Sequence, residues 1–341
     1  HIAVTVHAAD DPAWETVRRL RRSGFRGRIS LVGAVPQAEA RSLDGIDPAP
    51  DLAFLSGEEK EVERSLRDAK RAGVRQVVIT SPLGLDSRDR LAPYAAHMQI
   101  VGPASEGVAE LAALFNVTPF EAIQRPGSAG LLSLDPYGLS TADHPSHGRG
   151  GYGRIVSLGQ GWFNSVPDLL REWSEDASLG VLGVLLDPAQ PIGELLDPLR
   201  DAAGRKPLVL LWSGEVAEAL ARHTGAAVAT SPVEFHSLVR ALELFNIWDG
   251  ERLALVGSDA PSLQLARRLL EAEGLRVGPL SPEVVGLLYR LGALERVNPV
   301  LLPPGTAPAD LARTAEVLVG DELVDAVICV ASKPGADADL A

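Results

Sequence analysis

The chain has 341 residues, which is enough for two or three domains rather than one. It is 46% hydrophobic and only 5% aromatic, a composition typical of an α/β protein. The net charge of -13 is unsuited to a surface for nucleic acid or an anionic membrane, and no apolar run approaches the roughly 20 residues that span a bilayer. A single cysteine, Cys329, excludes an intrachain disulfide and a cysteine-based zinc site and favours a cytoplasmic location.

Short apolar runs alternate with amphipathic stretches along the chain, the pattern of βαβ units and parallel sheets. In the first series, Asp11 and Pro12 supply an N-cap and a first helical residue, and Gly24 follows the end of that helix. The predicted strands are 2–6, 28–32, 52–55, 76–80 and 99–101, and the predicted helices are 14–22 and 58–71. Together they indicate a doubly wound domain over residues 1–125.

Two further series follow, which we assign to domains at 126–250 and 251–341. In the first of them we predict strands at 130–134, 154–158, 181–186 and 207–211, and helices at 167–174, 192–203 and 233–245. In the last we predict a strand at 252–256, a helix at 261–273 and a strand at 327–330. The fold class is therefore α/β, with three consecutive doubly wound domains. Because the sequence opens on His1 without a methionine or a signal-peptide pattern, we expect it to be part of a longer protein.

The stretch 137–153 has no apolar periodicity and is rich in glycine, so we predict a mobile loop. It contains His144 and His147, with Asp143 nearby. These three could ligate a metal, but the spacing is not that of a strong metal motif, and we expect no metal there.

Three other positions are noted for their chemistry. His236 lies beside Phe235 in a predicted helix, where a packing role is favoured over catalysis. Trp162 and Phe163 form an aromatic pair that would close over a ligand, cap the core or meet a partner subunit.

His223 presents a choice between a chemical and a structural role. A neutral imidazole can attack phosphate when it lies on a loop of small residues whose backbone N–H groups reach the phosphate oxygens. Thr224, Gly225 and Ala226 have that character. The alternative is a helix C-terminus, with His223 in the last turn and Gly225 just beyond it. The residue types alone leave both open.

Six fragments, spread in order along nearly the whole chain, resemble those of one family. They are Gly24-Phe25-Arg26-Gly27; Gly102-Pro103 with Gly107; Val156-Ser157-Leu158-Gly159; Arg205-Lys206-Pro207 through Ser213-Gly214; His223-Thr224-Gly225-Ala226; and Asn298-Pro299-Val300. The family is that of the NDP-forming acyl-CoA synthetases, which includes succinyl-CoA synthetase and ADP-forming acetyl-CoA synthetase.

The resemblance implies a Rossmann-like CoA-binding domain followed by two flavodoxin-like ligase domains. It implies that His223 is transiently phosphorylated, that Asp187 stands where the family has a supporting glutamate, and that Thr224, Gly225 and Ala226 form the phosphate loop. The CoA-binding positions that it implies are Gly33, Gly84, Gly102, Pro103 and Gly107. ATP or ADP and Mg²⁺ would be held by ATP-grasp domains on a partner chain or a further part of the protein, and the family leads us to expect an oligomer.

The chain also departs from the family at both phosphate turns. Where the family has a glycine-rich first turn, this chain has 7–12, without glycine and with Asp10 and Asp11. Where the family has Ser-Gln-Ser-Gly, this chain has 133–138, which contains Asp135. A carboxylate at either place repels an anion, so we expect CoA to bind weakly or not at all.

Three functions remain open at this stage. The first is a CoA-ligase module that makes acyl-CoA from an acid, CoA and ATP through phosphorylated His223. The second is a degenerate module that binds CoA or acyl-CoA, and the third is a scaffold. For the first we predict that His223 lies on a loop with Asp187 nearby, because the carboxyl ends of parallel strands share one edge.

Overall fold

The computed structural model describes residues 1–120, 126–142, 151–189, 191–212, 216–244 and 250–330. The chain forms two compact units, His1–Asn246 and Ile247–Ala341. The first unit contains a five-stranded and a seven-stranded sheet, and the second contains a four-stranded sheet. Nearly all strand pairs are parallel, which confirms the predicted α/β class.

The first sheet is fully parallel and has the strand order β2-β1-β3-β4-β5. Its strands are β1 (Ile2–Val6), β2 (Ile29–Gly33), β3 (Leu52–Leu55), β4 (Gln76–Ile79) and β5 (Gln99–Val101). Its helices are α1 (Ala13–Arg22), α2 (Glu59–Ala72) and α3 (Ser87–Ala95). The apolar face of α1 packs on one side of the sheet, and α2 and α3 pack on the other, so the sheet is doubly wound.

Local sequence explains why these elements begin and end where they do. All five residues of β1 are buried, as expected of a central parallel strand. A capping box between Glu58 and Glu61 starts α2, and Gly73 ends it in the left-handed conformation with φ 77°.

The second sheet has the order β12-β11-β10-β8-β9-β6-β7. Its strands are β6 (Val108–Glu110), β7 (Phe115–Asn116), β8 (Ala129–Ser133), β9 (Tyr152–Ser157), β10 (Val181–Leu185), β11 (Leu208–Leu211) and β12 (Ala227–Ala229). Its helices are α4 (Gly138–Ala142), α5 (Val166–Glu175), α6 (Leu196–Ala203), α7 (Ala217–Thr224) and α8 (Pro232–Leu244). Strand β6 pairs antiparallel with β9 and with β7, whereas the other pairs are parallel.

The predicted boundary at 125/126 does not match the sheets. Strands β6 and β7 precede residue 125, yet they extend the second sheet. Strand β6 pairs with β9, and β7 pairs with β6, whereas the first sheet ends at β5. The first two sheets belong to one compact unit, and the third sheet belongs to the other.

The unit Ile247–Ala341 is built around β13 (Arg252–Gly257), which pairs with β14 (Arg276–Val277), β15 (Val300–Leu301) and β16 (Ala326–Val330). Its helices are α9 (Ala260–Ala272), α10 (Pro282–Arg290) and α11 (Pro308–Val319). The side chain of Asn298 accepts a hydrogen bond from Leu255 N–H at 2.9 Å and donates to the carbonyls of Leu253 at 2.6 Å and Gly278 at 2.9 Å. The Asn-Pro-Val fragment therefore has a structural role here, because it joins the central strand to a neighbouring turn.

The stretch 137–153 is only partly a loop. It begins with α4 and ends in β9, while His144, His147 and Asp143 lie outside the described residues. Within the described residues, no helix combines the length and apolarity needed to cross a membrane.

Candidate functional site

Two crevices are the natural places for a ligand in the first unit. In an open parallel sheet, ligands bind beyond the carboxyl ends of the strands where the strand order reverses. That point lies between β1 and β3 in the first sheet and between β8 and β10 in the second. We call these the first crevice and the second crevice.

The first crevice is occupied by the chain's own polar groups. The imidazole Nε2 of His7, after β1, lies 2.8 Å from the carbonyl oxygen of Ser56, after β3. The other ring nitrogen lies 3.5 Å from a carboxylate oxygen of Glu61. A Cβ at Gly57 would come within 2.4 Å of Glu61 and 2.9 Å of His7, so the space between these strands is already filled.

Asp11 takes the position that an anion would occupy at the start of α1. Its carboxylate accepts hydrogen bonds from the backbone N–H groups of His7 at 2.7 Å and Ala13 at 2.8 Å. The hydroxyl of Ser56 lies 3.4 Å from the same carboxylate. Backbone N–H groups at a helix N-terminus can bind a diphosphate, but here the N–H of Ala13, the first residue of α1, already donates to Asp11. Asp10, in contrast, is exposed.

Gln160, from the second sheet, contacts the turn that follows β4. Its side-chain amide donates to the carbonyl of Leu83 at 2.9 Å and accepts from the Leu83 N–H at 3.3 Å. Trp162 and Phe163 follow it and pack against the core of the first sheet, with their rings 6.1 Å apart. Of the roles predicted for this aromatic pair, capping the core is the one that these contacts support.

The glycines expected to bind CoA differ in what surrounds them. A Cβ at Gly33, Gly102 or Gly107 would lie 1.9, 2.4 and 2.0 Å from a backbone oxygen of a neighbouring strand or turn. All three have positive φ, and Gly102 precedes Pro103 through a cis peptide bond. Packing of the backbone therefore accounts for these glycines without a ligand. Gly84 has nothing within 4 Å of its Cβ position and is exposed.

The second crevice contains a carboxylate, that of Glu106, which no sequence motif predicted. Glu106, on the connection between the sheets, accepts hydrogen bonds from the N–H groups of Leu139 at 2.7 Å and Ser140 at 3.1 Å. The hydroxyl of Ser140 donates to it as well. These are the first-turn groups of α4, which follow the turn at 133–138 where the family places phosphate. Glu106 stands inside the Gly102-to-Gly107 fragment, but nothing in that fragment indicates a partner so distant in sequence.

Glu106 is in an unfavourable environment for a charge. Burial raises the pKa of its carboxyl above the ordinary value, nearby Asp135 acts in the same direction, and the hydrogen bonds from Ser140 and Leu139 oppose them. Asp187 lies two residues after β10 at the same edge of the sheet, and its carboxylate accepts the N–H of Ala189 at 2.8 Å. The second crevice thus presents three carboxylates, which do not suit a phosphate.

His223 does not lie at this edge. It is in the last turn of α7 and exposed, two residues after it Gly225 adopts φ 72°, and β12 begins at Ala227. Because α7 connects the carboxyl end of β11 to the amino end of β12, His223 lies at the opposite edge of the sheet from Asp187. The predicted loop position beside Asp187 is therefore wrong, and the helix C-terminus is what forms.

The residues expected to form the phosphate loop end the helix instead. The Thr224 hydroxyl donates to the carbonyl of Leu220 at 2.8 Å, and its oxygen accepts the N–H of Ala226 at 3.2 Å. The N–H of Gly225 donates to the carbonyl of Ala221 at 2.8 Å. These groups are engaged in a helix termination, so they are not free to bind phosphate.

His236 is a core residue, as predicted. It is 5% exposed, and its Nδ1 lies 2.5 Å from the hydroxyl of Tyr152 on β9. Burial also raises the pKa of Tyr152. No group of three or more His, Cys, Asp or Glu side chains forms a metal site within the described residues.

No protein-family model matches the sequence, and no curated protein sequence matches it significantly. Its fold is nevertheless similar to that of solved structures. PH0766 from Pyrococcus horikoshii OT3 has a TM-score of 0.84 at 20% identity, over 99% of this chain and 82% of that chain. The dinucleotide-forming acetyl-coenzyme A synthetase 1 of Candidatus Korarchaeum cryptofilum gives a TM-score of 0.78 at 18% identity in its apo form, over 98% of this chain and 81% of that chain.

The same synthetase in complex with phosphate and ADP gives a TM-score of 0.76 at 19% identity, again over 98% and 81% of the two chains. At this level of identity the similarity concerns the fold. The resemblance to the acyl-CoA synthetases is thus confirmed for the architecture of nearly the whole chain.

Proposed function

We propose that this chain is a CoA-ligase-fold module that does not transfer phosphate and acts as a regulatory or scaffold module. The position of His223 is the observation that carries the proposal. A phosphohistidine relay requires the imidazole to reach the edge of the sheet where the acid and CoA meet. In this chain, the imidazole is in the last turn of α7, at the other edge from Asp187.

The positions where the fold would hold phosphate support the same conclusion. Asp11 accepts the N–H groups of His7 and of Ala13, the first residue of α1, and Glu106 accepts the N–H groups of Leu139 and Ser140 at the start of α4. Displacing either carboxylate by phosphate would leave it near another anion with its hydrogen bonds lost, which costs several kcal/mol in a partly buried setting. The residues present therefore do not fit the diphosphate of CoA at the first crevice.

A partner remains part of the proposal. The similar acetyl-coenzyme A synthetase has been solved with phosphate and ADP. For this chain we propose that any nucleotide, with Mg²⁺, is held by an ATP-grasp domain to which the module docks. In that arrangement the chain contributes a surface rather than a phosphorylated residue.

Phosphate labelling tests the loss of the relay. The chain is incubated with labelled ATP and an ATP-grasp partner from a working synthetase, whose own CoA-ligase part is the positive control. We expect no acid-labile, base-stable phosphate on this chain. If label appears and His223→Ala removes it while His236→Ala retains it, the ligase is the correct function and our proposal fails.

Calorimetric titration tests the closed first crevice separately. We expect no binding of CoA or acetyl-CoA in the submicromolar range, because Asp11 holds the N–H groups of the turn. Submicromolar binding by the native chain, reduced by substitution of Gly84, would support the degenerate CoA-binding form over the scaffold.

A further inference from the structure

The first unit contains a groove that is separate from both crevices. It has a volume of about 1380 Å³ and lies between the amino ends of β4 and β5 on one side and α5 on the other. Pockets for drug-sized molecules hold roughly 300–1,000 Å³, so this groove has room for an extended ligand.

The floor of the groove is apolar. Val101, Val156, Phe163 and Leu169 line it, are half-buried, and pack with their other sides against the cores of the two sheets. Contact between Phe163 and Trp162 orients the phenyl ring, because the two rings meet edge to face at 86°. An apolar ligand group lying on this floor would shield the floor from water without disturbing the core.

Both walls carry charged or basic side chains. On the first wall, Arg75 and His97 lie just before adjacent strands, which the Gln99 N–H joins by donating to the Arg75 carbonyl at 2.8 Å. On the second wall, Asp168 and Glu172 lie one turn apart on the face of α5 that lines the groove. Asp51 and Arg154 also line the groove but are already paired, Asp51 with the N-terminal ammonium and Arg154 with Glu110 and Asp176.

These walls do not neutralise each other. Within the described part of the chain, neither Arg75 nor Glu172 has a salt-bridge partner. Asp168 binds Arg171 on its own helix. Arg75 and Glu172 are both exposed, so the groove offers a ligand one guanidinium and one carboxylate that the described residues do not pair.

A buried hydrogen-bond acceptor in the lining of the groove also lacks a partner among the described residues. Asn164 lines the groove, and its Oδ1 is buried with no hydrogen-bond partner in the described part of the chain. A buried acceptor without a donor is unfavourable, and an amide N–H from a ligand would satisfy it.

From these features we infer that the groove binds a short apolar peptide with free termini. Its side chains lie on the floor, its carboxylate meets Arg75 and His97, its ammonium meets Asp168 and Glu172, and its amide N–H reaches Asn164. A fatty acid would leave the acidic wall unmatched, and a simple amine would leave the basic wall unmatched. The peptide termini complement both walls.

The test uses the whole chain and the tripeptide trileucine in calorimetric titration. N-acetyl-trileucine amide has the same side chains without terminal charges, and we expect it to bind about tenfold more weakly or less. Arg75→Gln and Glu172→Gln should each weaken trileucine binding about tenfold. Gln99→Trp adds a ring to the groove at an exposed position and should abolish binding.

Matched controls are Arg64→Gln and Glu194→Gln, which change exposed residues of the same types outside the groove and should bind trileucine like the native chain. Absence of trileucine binding at millimolar concentration would overturn the inference. So would equal binding of the capped peptide, or equal losses in groove and control variants. None of these results depends on whether phosphate labelling succeeds, so this inference and the proposed function can fail separately.

Discussion

Glu106 is a carboxylate whose charge is disfavoured where it lies, although three donors of α4 bind it. Its folded-state pKa is raised from the ordinary value of 4.5, so between the unfolded and folded pKa values the native state binds more protons than the unfolded state. The contribution of Glu106 to stability is therefore fully present below the unfolded pKa and is lost as pH rises through the folded pKa.

This sign gives a prediction for Glu106→Gln. As the pH rises from about 4.5 towards neutrality, the unfolding free energy of the native chain should fall relative to that of the variant. Urea unfolding at a series of pH values measures it, and the comparison cancels the titration of all other groups. A difference that stays constant with pH would contradict the assigned burial of the charge.

Substitution of His223 and of His236 should change the stability of the chain by very different amounts. His223 is exposed at a helix end, so His223→Ala should change the unfolding free energy by less than about 0.5 kcal/mol at pH 8. His236 is buried against Tyr152, so His236→Ala should cost about 2–4 kcal/mol through a cavity and an unpaired hydroxyl. Chemical denaturation of both variants checks this, and similar losses would mean that His223 is packed.

At the scale of the elements, the glycines in the connections between strands are of two kinds. Some lie where a Cβ would clash with the backbone, and others have open space at the Cβ position. Gly107→Ala should destabilise the chain by at least about 2 kcal/mol, because φ is 118° and the new Cβ would meet the Val117 carbonyl at 2.0 Å. Gly84→Ala is the matched control, since it has open space, and it should be neutral or slightly stabilising. Thermal unfolding of the pair distinguishes a packing role from a ligand-binding role at these positions.

The bounds of a strand could be predicted from sequence where its own residues and its immediate neighbours determine them. Strands β1, β3 and β5 have the predicted bounds because each is an apolar run between turn-forming residues. Strands β6, β7, β12 and β14 have only two or three residues, and they exist because a neighbouring strand pairs with them. No local pattern shows that pairing.

The candidate site illustrates the same limit. His-Thr-Gly-Ala suits a phosphate loop and a helix end equally well, and only the short connection to β12 decides between them. Glu106 went unpredicted because its donors lie 33 and 34 residues away in sequence. In contrast, the closed first turn was predictable, because a carboxylate just before a helix finds that helix's N–H groups locally.

For the whole molecule, the two sheets of the first unit should unfold together. Leu66 is fully buried in the first sheet's core, and Leu66→Ala should cost about 2–5 kcal/mol. Because both sheets form one compact unit, hydrogen exchange of β10 and β11 in the second sheet should accelerate as much as that of β3 and β4. Unchanged protection of β10 and β11 would show that the sheets are independent domains.

The contacts between the two sheets of the first unit leave little room for hinge motion. The Gln160 backbone N–H donates to the Pro103 carbonyl at 2.7 Å, and a Cβ at Gly159 would come within 2.0 Å of the same carbonyl oxygen. A lid that closes over its ligand needs a segment whose φ and ψ can change widely, and these connections are held on both sides. The groove is therefore preformed, and the association rate of a peptide should rise linearly with peptide concentration, without the plateau that a slow closing step would impose.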